Sequence, residues 1–184
     1  MLLVGVPPAR AVDNAALGGI GGIDNGTLQN GDGSGEARVS LFTVDLALIK
    51  QARDLTGAVL PDGAGVTPGQ ELYFVLYVDN PTSVAAGDVA LTDLLDESQF
   101  TYIAGSIEQT TVRAGSDDAT IWAGTWTPLT DALELPDDAA SCVDTGGPPG
   151  ADRLTVGAVP GQANQTVDLP AMSLRAFRFR ARVN

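Results

Sequence analysis

A chain of 184 residues with 23 acidic against 10 basic side chains and a net charge of −13 repels a phosphate backbone, which argues against nucleic acid as a partner. It contains no histidine and a single cysteine, Cys142, so the commonest general base, an intrachain disulfide and a Cys/His zinc site are all excluded, and no enzyme is expected. Apolar residues make up 44% of the chain but aromatics only 5%, so Val, Leu and Ala must fill most of any core.

Eighteen of the acids are Asp and five are Glu, a bias toward turns and caps over helix interiors. Nine of the ten bases are Arg, and Lys50 is the one lysine. No apolar run approaches the roughly 20 residues that a membrane span needs.

The first eleven residues, MLLVGVPPARA, read as the tail of a secretory signal, with Ala9-Arg10-Ala11 as a small-x-small cleavage site, and an extracellular or cell-surface location follows from that reading. From Val12 to Glu36 the chain is punctuated by glycine (Gly18, Gly19, Gly21, Gly22, Gly26, Gly31, Gly33, Gly35), the composition of a flexible lead segment. Leu17, Ile20, Ile23 and Leu28 give that segment something to bury. We therefore divide the chain into residues 1–36, a signal remnant and possible donor strand, and residues 37–184, a β-sandwich.

Val39, Leu41, Val44, Leu46 and Leu48, interleaved with Ser40, Asp45 and Ala47, carry the period-2 pattern of a strand with one buried face, ended by Lys50 and Arg53. Pro61-Asp62-Gly63 and Thr67-Pro68-Gly69-Gln70 mark turns. Glu71–Asp79 is the clearest strand, apolar on both faces and so central. Asn80-Pro81-Thr82 breaks it; Asp88–Asp93 and Phe100–Ile103 follow as shorter strands. Thr110–Arg113, Thr120–Trp126, Leu133–Leu135 and Arg153–Val156 are strand-capable, and Cys142 falls in a Gly/Pro loop. Gln165–Leu169 and Ser173–Val183 close the chain as strands, the last with Phe177, Phe179, Ala181 and Val183 on one face and Arg178, Arg180 and Arg182 on the other. Short strands separated by turn signals, with no helical period, predict an all-β, immunoglobulin-like antiparallel β-sandwich with a Gly-rich N-terminal extension.

Val44–Lys50 followed by Pro68-Gly69-Gln70-Glu71-Leu72-Tyr73-Phe74-Val75-Leu76-Tyr77-Val78-Asp79-Asn80, then Val89–Asp93, Phe100–Ser106 and Phe177–Val183, resembles the conserved-repeat Ig-like domain of bacterial and archaeal surface proteins, eleventh among the families of domains of unknown function. The likeness runs from about Val39 to Asn184. It implies an extracellular sandwich used as spacer, adhesin or wall module, with no catalytic residues to carry over.

Each candidate site has a bland counterpart. Asn30–Glu36 resembles the start of a calcium loop, but its twelfth position is Leu41, where a bidentate carboxylate is needed. No cofactor is expected; calcium is the one possibility, at acidic clusters such as Asp93/Asp96/Glu97, Asp117-Asp118 and Asp137-Asp138, which otherwise read as solvated turns. Trp122 and Trp126, four apart in an extended piece, share a face and either contact a surface glycan or cover a core edge. The Arg178, Arg180 and Arg182 stripe either binds a sulfated or carboxylated glycan through bidentate bonds or, the reading favoured in so acidic a chain, pairs with Asp on an adjacent strand. Asn25-Gly-Thr27 and Asn164-Gln-Thr166 match the glycosylation pattern. Functionally, the expectation is a homo-oligomer or polymer: a structural subunit of an extracellular filament or surface layer that donates its N-terminal strand to a neighbour. The alternative is an adhesive or carbohydrate-binding surface module.

Overall fold

The computed structural model describes residues 12–17, 23–24, 27–28, 36–41, 46–132, 138–143, 150–159 and 162–184. The chain divides into two compact units, one of Val4–Asp45 and one that holds Leu46–Asn184. In the first, β1 (Val12–Leu17) pairs antiparallel with β4 (Glu36–Leu41), and β2 (Ile23–Asp24) with β3 (Thr27–Leu28). The stretch read as a flexible lead thus contains backbone pairing, and residue 36, where we placed the boundary, is the first residue of β4.

The second unit is antiparallel throughout. One sheet runs β10 (Thr127–Pro128), β9 (Glu108–Arg113), β13 (Ser173–Val183), β6 (Glu71–Asn80), β5 (Ala47–Arg53), with β8 (Phe100–Tyr102) also on β13. The other is β11 (Ala140–Val143), β12 (Ala151–Val156), β7 (Leu91–Asp96). Together they make the all-β, immunoglobulin-like antiparallel sandwich expected from the sequence.

Strand parity builds the core. The register Phe177↔Leu76, Phe179↔Phe74, Ala181↔Leu72 puts these side chains on one face of the larger sheet, and all but Phe74 are buried. On β7, Leu91, Asp93 and Leu95 are buried while Thr92, Leu94 and Asp96 are exposed, and opposite them Val156, Leu154 and Asp152 of β12 are buried too. Lys50 on β5 reaches Asp93 on β7, so these two faces meet across the sandwich. Each fully buried Leu, Phe or Val contributes about 1.5–3 kcal/mol. At the end of β6, Asn80 is wholly buried: its amide donates to the carbonyls of Val84 (2.8 Å) and Pro170 (3.0 Å), and its Oδ1 accepts from Thr82 Oγ1 (2.7 Å).

Three sequence readings need correction. Thr120–Trp126 is not extended: Asp117 caps a short helix, α1 (Asp118–Trp122), by accepting from the Thr120 amide. Cys142 lies in β11, opposite Leu154, and not in a loop. Gln165–Leu169 forms a single bridge, Ala86↔Leu169, and no strand. Leu133–Leu135 lies outside the described residues.

Hydrogen bonds to Thr56, Ser98 and Thr120 hold Asp54, Asp96 and Asp117 below the ordinary value of 3.8. A depressed carboxylate stabilises the fold fully above its unfolded value, and that contribution is lost as pH falls through the lowered folded value. Acidification below about pH 4 is expected to open the turns after Asp54 and Asp96 and the start of α1 first. Amide exchange at Thr56, Ser98 and Thr120 should then accelerate ahead of exchange in β6 and β13; simultaneous acceleration would contradict this.

Candidate functional site

The outer face of the larger sheet carries Tyr73, Val75 and Tyr77 from β6 and Leu174, Ala176 and Arg178 from β13. α1 lies over this face and buries Ile121 in a cluster with Val75, Tyr77, Leu174 and Ala176, against which Tyr73, Val112, Trp122 and Trp126 pack. The two tryptophans are side by side, ring centroids 6.4 Å apart, with Trp126 Nε1 donating to the Trp122 carbonyl at 3.0 Å. Helix and loop bring them together, where the sequence reading relied on strand alternation.

Arg178 occupies the middle of this group. Its guanidinium carbon is 4.1 Å from the Trp126 ring centroid, 4.6 Å from Trp122 and 4.8 Å from Tyr73, and its Nε donates to Glu108 Oε2 at 2.7 Å. The second arginine, Arg53, is 2% exposed; it donates to Gln51 Oε1 (2.7 Å) and the Gly57 carbonyl (3.0 Å) and lies 3.3 Å from Asp118. Gly57, at φ +93°, packs its α-carbon so near Trp122 that a β-carbon there would fall 2.1 Å from the indole nitrogen. Burial first, and then the Asp118 charge, push the Tyr77 hydroxyl up to about 12, and burial raises Tyr102 as well. Both phenols are therefore neutral near pH 7 and serve as hydrogen-bond groups.

This is a packed cation–aromatic stack. Arg178→Ala is expected to cost about 2 kcal/mol of stability, and Arg178→Lys to recover only part, because an ammonium has no plane to lay on the rings. Equal unfolding midpoints for wild type and Arg178→Ala in urea would refute this.

The other notable feature is an edge. β5 is the last strand of its sheet, and a return at Val59–Leu60 covers only its Ala52–Arg53 end. Among the described residues no strand pairs beyond Ala47–Gln51. Leu48 shares the core-facing side with Lys50 yet is 59% exposed; Ile49, on the other side, is exposed as well. We expected Leu48 to be buried. Alternation chose the correct face, but three strands do not cover the face of six out to its edge.

The remaining candidates place as follows. Leu17 stands opposite Glu36 in the β1–β4 pair, and Ile23 opposite Leu28 in β2–β3; Ile20 lies outside the described residues. Arg180 and Arg182 both reach Glu71 on the neighbouring strand, at 3.6 and 3.7 Å, so the arginine stripe pairs across strands, with Glu as its partner. Asp117 is a helix cap, Asp118 pairs with Arg53, and Asp138 accepts from the amides of Thr130 and Ala140. Among the described residues no three acids or cysteines converge as a metal site. Asn164 donates its side-chain amide to Thr155 Oγ1 at 3.1 Å. Cys142 is half-buried. Sequence reasoning missed Arg53, Gly57 and Tyr73 as partners of Trp122; the contacts of Arg53 and Tyr73 depend on where α1 docks and that of Gly57 also on the turn after β5, which no periodicity encodes.

No family model matches the chain, and no curated protein does either. Among solved structures, the collagen-binding domain of the surface protein RspB of Erysipelothrix rhusiopathiae is similar at 12% identity and a TM-score of 0.37. The match takes in 94% of this chain and 44% of that one, so the chain spans less than half the length of that relative. No helix among the described residues is long and apolar enough to cross a membrane.

Proposed function

We propose that this chain is a non-enzymatic module of an extracellular surface or filament, belonging with the conserved-repeat Ig-like domains it resembles, and that copies join by strand addition at β5. The observation that carries the reading is the outer edge of β5, on which no strand pairs along Ala47–Gln51 among the described residues, with Leu48 and Ile49 exposed on its two sides. An incoming strand gains backbone hydrogen bonds at about 0.5–1.5 kcal/mol each and covers both side chains. The occupant is an extended N-terminal segment of a neighbouring copy, where Leu17, Ile20, Ile23 and Leu28 supply the apolar side chains. Because β1 already pairs with β4, donation exchanges one partner for another. Lys50, an inward-pointing charge on this edge, is a common guard against uncontrolled pairing, and its partner Asp93 holds it inward.

The carbohydrate-binding alternative is less favoured, since Arg178 and the neighbouring rings already occupy Trp122 and Trp126. To test the assembly, the full chain and a Leu48→Lys/Ile49→Lys variant are compared by light scattering and negative-stain microscopy. Wild type is expected to form larger species with rising concentration, and the variant to remain a folded monomer. A wild type that stays monomeric, or a variant that assembles equally well, sinks the reading.

A further inference from the structure

The smaller sheet has an edge of its own. β7 is its last strand, and among the described residues no strand pairs on the side away from β12. The contact between Lys50 on β5 and Asp93 on β7, at 2.6 Å, places this edge and the β5 edge on the same flank of the sandwich. Leu94 on β7 and Leu48 on β5 are the two most exposed large apolar side chains among the described residues. The flank therefore has two borders, one in each sheet, and each carries an apolar side chain.

A single added strand does not complete this flank. The larger sheet already extends past the smaller one, which is why Leu48 is exposed on its core-facing side. A strand laid along β5 alone lengthens that overhang, and its own inward side chains have no layer opposite them. A second strand laid along β7 supplies the missing layer and faces Leu48 across the usual gap of about 10 Å between packed sheets.

We propose that β7 is a second acceptor edge, and that its occupant is β4 of the same neighbouring copy whose N-terminal segment fills β5. This rests on the strand-addition reading and adds to it that the donor delivers two strands, one to each sheet. β1 and β4 pair with each other in the N-terminal unit, so withdrawing β1 leaves β4 with backbone groups to satisfy. At six residues, β4 matches β7 in length. Its sequence alternates Ala37, Val39 and Leu41 with Glu36, Arg38 and Ser40, the apolar and polar rows that a strand at the border of a sandwich requires. The segment between Leu17 and Glu36 is far longer than a crossing of about 10 Å from one sheet to the other needs.

Hydrogen–deuterium exchange of the full chain over a concentration series tests this, read at residues 91–96 and 47–51 together. Both segments are expected to slow by about tenfold or more, at one shared midpoint concentration. Leu94→Lys, a change at an exposed position, is expected to raise that midpoint about tenfold or more while β6 and β13 exchange as in wild type. Protection that develops at 47–51 with no change at 91–96 would overturn the second acceptor and leave the strand-addition reading standing. Constant exchange at both segments would overturn the two together, and a Leu94→Lys midpoint equal to that of wild type would overturn the part given to β7 alone.

Discussion

Phe177→Ala is expected to lower the unfolding free energy by about 3–5 kcal/mol, the largest loss of any single truncation in the chain. The residue is 1% exposed, on a strand paired on both sides, opposite Leu76 in β6 and Gln109 in β9. Removing the ring deletes buried surface and leaves a cavity that two flanking ladders prevent from collapsing. Its neighbour Phe179 shares the same face and touches Phe74 and Tyr102, with centroids 5.6 and 6.1 Å away. Aromatics are only 5% of the chain, so few other side chains of that size exist to fill the space. The control is Leu94→Ala on β7, 61% exposed and expected to shift stability by no more than about 0.5 kcal/mol. Urea titration reads both as midpoint shifts at constant slope. Equal shifts would mean that the two sheets do not close on a dry interior.

Gly157→Ala is expected to cost about 3 kcal/mol or more. Gly157 follows β12 at φ +79°, where an L side chain is already strained, and an added β-carbon would fall 2.1 Å from the Val89 carbonyl oxygen. That oxygen belongs to backbone that cannot easily retreat, because the Val89 amide donates to Val167 at 2.8 Å; Gly157 itself donates to Ala139 at the same distance. Gly105 separates strain from clash. It has φ +68° with open space around it, so Gly105→Ala carries only the conformational cost of roughly 1 kcal/mol. The difference between the two variants measures how tightly residues 89 and 157 approach, and a difference near zero would contradict that contact.

The fold was legible wherever one face of a strand is covered along its whole length. Glu71–Asp79 and Ser173–Val183 read correctly, face by face, because alternation maps onto the inside and outside of a paired strand. It failed where burial depends on what lies opposite. Leu48 has the correct parity and is exposed, since the smaller sheet does not reach it. α1 has five residues, too few for a helical period to register, and its one local signal, Asp117 three before Thr120, is common in turns. The strand at Cys142 was hidden by the glycines and prolines that follow it. Arg178 read as one of three equivalent surface charges; its burial among Tyr73, Trp122 and Trp126 depends on where α1 docks, which is a tertiary fact.

Joining through β5 makes the protection of one short segment depend on protein concentration, and hydrogen–deuterium exchange of the full chain over a concentration series measures that directly. Peptides covering residues 47–51 are expected to exchange rapidly in dilute solution and slowly in concentrated solution, while β6 and β13 remain protected throughout. Exchange in residues 47–51 that is the same at every concentration would contradict it.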